Sequence, residues 1–276
     1  VILGTGGYAS FPALYMGTRM GIPTCVHEAN AVPGLATRLV ADRVDQILVT
    51  FAESAKGYKH PEKVRTVGMP VRREFIYSDR KSSRRELGLD ERPLVISAFG
   101  SLGAREMNKK IADFLKLEVD EGIPFQHIHA TGSFGWRWMT DLVKEKGVDL
   151  EHCDGLDMRE YIYNMPQLMA AADLIISRAG SSSCNEIAAA GIPCILIPSP
   201  NVTDNHQEKN ARILEGRGGC AVILESECTG QRLFDETKAL LSDRPRWERM
   251  RQALLAGAIP NSAEQICDTI VKLARK

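Results

Sequence analysis

The stretch from Ser177 to Pro200, SRAGSSSCNEIAAAGIPCILIPSP, gathers three hydroxyls, a guanidinium and a carboxylate at one turn of the chain. A short apolar run, DLIIS, stops at a loop of Gly and Ser. A helix-forming run, NEIAAAG, follows, and CILIP then reads as the next strand. Ser181, Ser182, Ser183 and Arg178, beside the free amides of a helix start, suit a diphosphate. Glu186 lies in the first turns of that helix, where both carboxylate oxygens can take the hydroxyls of a ribose. The acidic residue of a Rossmann fold does the same chemistry from another place. A serine-capped helix with a dipole-favoured Glu fits the same residues, and spacing alone leaves both readings open.

Other residues belong to the same chemistry. GTGGYAS at Gly4 and FGSLGA at Phe99 are glycine turns between a strand and a helix. Each can cradle an anion or simply allow tight packing, and neither is GxGxxG. HEAN, His27 to Asn30, follows the apolar run PTCV, so its polar groups stand at a strand's carboxyl end, where open α/β sheets bind ligands. DNHQEKNA, Asp204 to Ala211, places Gln207 as a candidate sugar or ribose contact; a polar helix start explains it equally well. His127 and His129 share one face of a strand, but no third ligand is spaced to complete a metal site, so a structural role is preferred. No HExxH or GxSxG motif occurs.

Such turns need rigid elements behind them. Apolar runs alternate with helical stretches along the whole chain: VIL, PTCVHE, ILVTF, PLVISAFGS, FQHIHATG, DLIIS, CILIP and CAVIL. Helices are expected from Ala104 to about Glu118 and near Trp138 to Lys146. Alternation of this kind predicts βαβ units and parallel sheets with helices on both faces. The two glycine turns lie about one domain apart, which predicts two Rossmann-like domains facing across a cleft. The expected division is residues 1–73 for the first domain, 74–92 for a linker, 93–258 for the second domain and 259–276 for a C-terminal helix. The basic segment RREFIYSDRKSSRREL, from Arg72, belongs to that linker. Ile266, Ile270 and Leu273 fall at helical spacing, and their helix is expected to pack back toward the first domain.

The 276 residues are 44% hydrophobic and 25% charged, with formal net charge zero. Nothing global favours nucleic acid. Seven cysteines, an odd number without a CxxC pair, sit mostly in apolar runs and read as buried thiols of a reducing cytosol. No apolar run reaches the roughly 18 residues of a membrane span, and no signal peptide is visible. Val1 opens directly in a strand, so the first domain is expected to be incomplete, with at least two βα units upstream.

Together these motifs resemble the MurG family of peptidoglycan N-acetylglucosaminyltransferases. GTGGYASFPAL with GIPTCVHEANAVPGLATRLVA resembles the family's second glycine loop and HEQN segment. VGMPVRREF resembles GNPVR, and FGSLGAREMN resembles GGSxGA. YIYNMPQLMAAADLIISRAGSSSCNEIAAAG with DNHQEKNA resembles its donor-nucleotide region. The resemblance implies a GT-B fold and transfer of GlcNAc from UDP-GlcNAc to the C4 hydroxyl of MurNAc in lipid I, giving lipid II with inversion. It implies a peripheral enzyme on the cytoplasmic side of the cell membrane, with no cofactor and no metal. By position, Ser101 matches a donor-contacting serine and Arg72 the junction arginine. Ile162 matches the residue whose backbone reads uracil. Ser181 to Glu186 match the phosphate and ribose loop, with Glu186 on the ribose. Gln207 and Asn30 match residues near the sugar.

Three residues depart from the family pattern. Phe99 replaces a glycine of GGSxGA and is expected to crowd the donor loop. Met69 replaces the asparagine of GNPVR, and Ala29 the glutamine of HEQN. The first glycine loop, GGTGGH, whose histidine is the usual candidate base, is absent from the sequence, so the catalytic base is unassigned. FPALYMGTRMG offers Leu14, Tyr15 and Met16 as membrane contacts, or as a buried helix face. The alternatives are a related GT-B lipid glycosyltransferase and a nucleotide-sugar-binding protein without turnover. A dinucleotide dehydrogenase is disfavoured by the missing GxGxxG with its downstream acid.

Overall fold

In a computed structural model describing residues 1–275, two parallel sheets face each other across a cleft. The first holds β1 (Ile2–Gly4), β2 (Thr24–Glu28), β3 (Gln46–Val49) and β4 (Val64–Thr66), in that spatial order. Helices α1 (Gly7–Arg19) and α2 (Leu35–Ala41) make its crossovers. Every residue of β2 is buried, as expected for a strand covered on both faces.

After α3 (Glu74–Tyr77) and α4 (Arg80–Glu86), the second sheet begins with β5 (Leu94–Ala98). Then come α5 (Arg105–Asp120), β6 (Gln126–Ala130), α6 (Trp136–Glu145), β7 (Leu156–Arg159), α7 (Met165–Ala171) and β8 (Leu174–Ser177). The chain continues through α8 (Ser181–Ala190), β9 (Cys194–Leu196), α9 (His206–Gly216) and β10 (Cys220–Val222). It closes with α10 (Gly230–Ser242), α11 (Arg244–Gly257) and α12 (Ser262–Ala274). The spatial order is β10-β9-β8-β5-β6-β7, the doubly wound order of a mononucleotide fold, whose crevice opens where the winding reverses, between β5 and β8.

The expected helix over 104–118 is α5, with Ala104 as its extended N-cap. The one expected from Trp138 begins a half-turn earlier, at Trp136. The basic segment between the sheets is folded rather than loose. Asp79 caps α4, its carboxylate accepting the Ser82 amide at 2.8 Å. The Arg80 guanidinium binds Asp173 at 2.8 Å and the carbonyls of Ala171 and Ala172. Helix α12 lies on the first sheet: Ile266 is buried with Leu48 and Val67, and Arg65 donates to the Thr269 hydroxyl at 2.9 Å.

Five of the seven free thiols are buried, Cys153 is half-buried and Cys267 is exposed. No described helix is long and apolar enough to cross a membrane. His127 and His129 are buried in the second core. Both bond the Ser97 hydroxyl at 2.7 Å, and His127 also meets the Glu118 carboxyl at 2.8 Å. Burial pushes both imidazoles down to about 3 and the Glu118 carboxyl upward.

Candidate active site at the switch point of the second sheet

A cleft of about 350 Å³ opens at the carboxyl ends of β5 and β8. Its wall is built from strand ends, helix α8 and the segment between the sheets. Ala98, Gly100 and Ser101 come from the end of β5, Ala130 from β6 and Ser177 from β8. Ser183, Glu186 and Ile187 come from α8, and Arg72 and Phe75 reach in from the segment between the sheets. Glu160 to Tyr163, after β7, close the far side.

The glycines of FGSLGA divide between packing and cleft. A Cβ on Gly103 would sit 2.0 Å from the Thr131 carbonyl oxygen, and one on Gly132 would sit 2.1 Å from the Gly103 amide nitrogen. Both take left-handed φ values, 79° and 74°. The turns after β5 and β6 therefore pack backbone against backbone, and Gly103 serves that contact. Gly100 and Ser101 face the cleft. Phe99 does not crowd the donor loop. Its ring is buried in the second core, 6.2 Å from the His129 ring, because side chains alternate along the strand end and Phe99 takes the inward position.

Helix α8 starts at Gly180 and no side chain caps it. The serine-cap reading therefore fails in its literal form. The Ser181 hydroxyl donates to the Ala29 carbonyl of the first domain. The hydroxyls of Ser181 and Ser182 lie 3.6 and 3.9 Å from the Met69 sulfur. Only Ser183 of the three serines lines the cleft. Gly191 ends the helix in the left-handed conformation that favours glycine.

Glu186 is half-buried in the cleft wall and no hydrogen bond reaches its carboxylate among the described residues. Burial pushes its pKa up, and the nearby Arg72 guanidinium opposes the shift. Arg72 itself lies over the Phe75 ring, 5.1 Å from its centre.

The remaining expected residues lie outside this cleft. Arg178 is turned under the sheet end. It pairs with Glu225 at 2.5 Å, donates to the Ile197 and Pro198 carbonyls and stacks on Phe99. Gln207 holds the neighbouring turn, its Oε1 accepting the Ser199 amide at 2.9 Å. Asn30 borders a second cavity, of about 220 Å³, with Gly6, Gly7, Tyr8 and Glu28.

Sequence reading passed over Asn210, which joins the two domains. Its Nδ2 donates to Asn30 Oδ1 (3.2 Å) and to the Ala179 carbonyl (3.1 Å), and its Oδ1 accepts the Ala31 amide (2.8 Å). Its place in DNHQEKNA, one turn after Gln207, was the available signal. The first-domain partners, Asn30 and Ala31, are about 180 residues away, beyond the reach of local pattern.

Two facing parallel sheets, with an open cleft at the switch point of the second, define the GT-B fold. Residues 95–266 match the glycosyltransferase family 28 C-terminal domain, and residues 1–49 match its N-terminal domain. A UDP-N-acetylglucosamine--N-acetylmuramyl-(pentapeptide) pyrophosphoryl-undecaprenol N-acetylglucosamine transferase of Ruminiclostridium cellulolyticum is 39% identical over 274 residues, covering 99% of this chain and 74% of that protein. The enzyme of the same name from Desulforamulus reducens is 34% identical over 274 residues, covering 99% and 73%. The crystal structure of Acinetobacter baumannii MurG superposes with a TM-score of 0.78 at 24% identity, covering 99% of this chain and 73% of that one. Neisseria meningitidis UDP-GlcNAc 2-epimerase bound to UDP-GlcNAc gives 0.66 at 14% identity, covering 98% and 75%. The chain belongs to glycosyltransferase family 28 and, within it, to the MurG family of N-acetylglucosaminyltransferases.

Proposed function

We propose that the 350 Å³ cleft holds the UDP half of UDP-GlcNAc, with Glu186 on the ribose hydroxyls. The supporting observation is the convergence of Arg72, Ser101, Ile162, Ser183 and Glu186, from four separate segments, on one cavity at the switch point. The chain's function is the transfer named in its relatives, of GlcNAc from UDP-GlcNAc to N-acetylmuramyl-(pentapeptide) pyrophosphoryl-undecaprenol, lipid I.

In this reading the diphosphate lies against the open amides of α8 and the Ser183 hydroxyl. As the bond to the sugar breaks with inversion, negative charge grows on the leaving diphosphate. Uncapped helix amides stabilise that charge without having to reorganise. Arg72 adds a cation on the same side. The GlcNAc ring extends toward Gln207, and the acceptor approaches from the side of Asn30 and the Gly6–Tyr8 turn. Asn210, Ser181, Ser182 and Arg178 act behind these groups by fixing the loops that carry them.

The acceptor's undecaprenyl chain calls for a bilayer. We place the cytoplasmic membrane face against exposed Tyr8, Met16 and Met20 of the first domain, with Leu35 and Leu39 of α2 and the cations Arg19 and Arg43. Leu14, an expected membrane contact, is instead core: it stands on the inner side of α1, against Gly4.

Titration calorimetry tests the donor reading. The backbone of Ile162 is free to pair with a base edge, and unpaired polar groups penalise a wrong base by ~1–3 kcal/mol each. UDP should bind at least about tenfold tighter than ADP. Equal affinities would overturn the reading.

A further inference from the structure

We propose that Tyr163 is the stacking wall for the nucleobase of the donor, and so a residue that sets the donor affinity of the cleft. The inference rests on the UDP reading above and deepens it.

Beyond β7 the chain bends at Glu160 and turns at Tyr163. Ile162 turns inward and is only 4% exposed, packed in the core beneath the cleft. Tyr161 and Tyr163 both stand on the cleft side, 46% and 87% exposed, and both line the cavity. Their rings meet edge to face, with centres 4.9 Å apart and planes at 64°. Tyr161 thus braces Tyr163 from one side and leaves the rest of its ring open. An aromatic ring at 87% exposure contributes little to the fold, whereas on a cavity wall its face is available to a flat ligand.

The backbone supplies the second half of the site. No backbone–backbone hydrogen bond uses the amide or carbonyl of Ile162 among the described residues. A planar, hydrogen-bonding ligand at this spot would set its edge on Ile162 and its face on Tyr163. Stacking tolerates any base; the edge contacts discriminate. A nucleotide meets both demands. A sugar phosphate without a base meets neither.

The test uses the wild-type enzyme with Tyr163→Ala and Tyr163→Phe, titrated with UDP and assayed for transfer. Loss of one base–aromatic stack should weaken UDP roughly 5- to 100-fold in Tyr163→Ala, while Tyr163→Phe stays within about twofold. Because the base does not move during transfer, KM for UDP-GlcNAc should rise with kcat unchanged. The melting temperature should not change, since the side chain is exposed. If the wild type binds UDP and Tyr163→Ala binds it equally well, the inference is wrong. If the wild type does not bind UDP at all, the donor reading falls first and carries this one with it.

Discussion

Two carboxylates line cavities, one in each domain, and they are used in opposite ways. Glu28 ends β2 and is buried. Its Oε1 accepts the Asn30 amide at 3.1 Å, and its Oε2 accepts the Gly34 amide at 3.0 Å. Both oxygens are occupied in shaping the loop that leads into α2. Glu186, on helix α8 beyond β8, is half-buried with no partner for either oxygen, and burial raises its pKa. A carboxylate bonded to its own loop is structural. One partly withdrawn from water on a cavity wall, with no partner in the protein, has both oxygens free for the ribose hydroxyls of the proposed donor.

The difference is broken most forcefully at Glu186. A ribose diol on its carboxylate makes two charge-assisted hydrogen bonds, roughly 1.5–3 kcal/mol each and not additive. Glu186→Ala should cost ~2–4 kcal/mol of UDP-GlcNAc binding, about 30- to 1000-fold, measured by calorimetry. Removing Glu28 should act on the fold instead. Glu28→Ala leaves two loop amides without their acceptor, at ~1–3 kcal/mol each, and urea unfolding should show a loss of about 2–4 kcal/mol. Arg72→Ala removes one cation from the donor side, and UDP should bind roughly 10-fold more weakly with little change in melting temperature.

The smallest effect is a dependence on pH. The raised pKa of Glu186 means that the folded state holds its proton more tightly than the unfolded chain. Its unfavourable contribution is absent below the ordinary carboxylate range and appears as pH rises through the folded value. At pH 7 the unliganded Glu186→Gln protein should melt slightly above the wild type, and the gap should close as pH falls below the carboxylate range. A Glu186→Gln protein that melts lower at pH 7 would show that the wild-type carboxylate has a partner.

Parts of this arrangement were legible in the sequence because they are local. The strand–loop–helix turn at Ser177–Ala190 announces itself by an apolar run, a glycine and a helix-forming run. The alternation of such units predicts parallel sheets. Which side chains enter the cleft was less legible, because direction at a strand end depends on where the strand stops. Phe99 turns into the core, whereas Ser101, beyond the left-handed Gly100, faces the cleft. The bend at Glu160 and the turn at Tyr163 likewise set the display of Tyr161 and Tyr163 around inward-facing Ile162. Arg178 was grouped with the phosphate by its place in the loop, but its charge is held by Glu225, which only the packing of distant segments brings near. The seam through Asn210 depends on how two sheets face each other, and no local pattern encodes that.

The contrast between the two carboxylates is tested most directly by titrating UDP-GlcNAc into Glu186→Gln and Glu28→Gln and melting both proteins at pH 7. Glu186→Gln should lose donor affinity and keep or raise its melting temperature. Glu28→Gln should keep donor affinity within about threefold, well under 1 kcal/mol, and melt lower. Unchanged donor affinity in Glu186→Gln, with a lowered melting temperature, would mean that Glu186 too serves only its own loop.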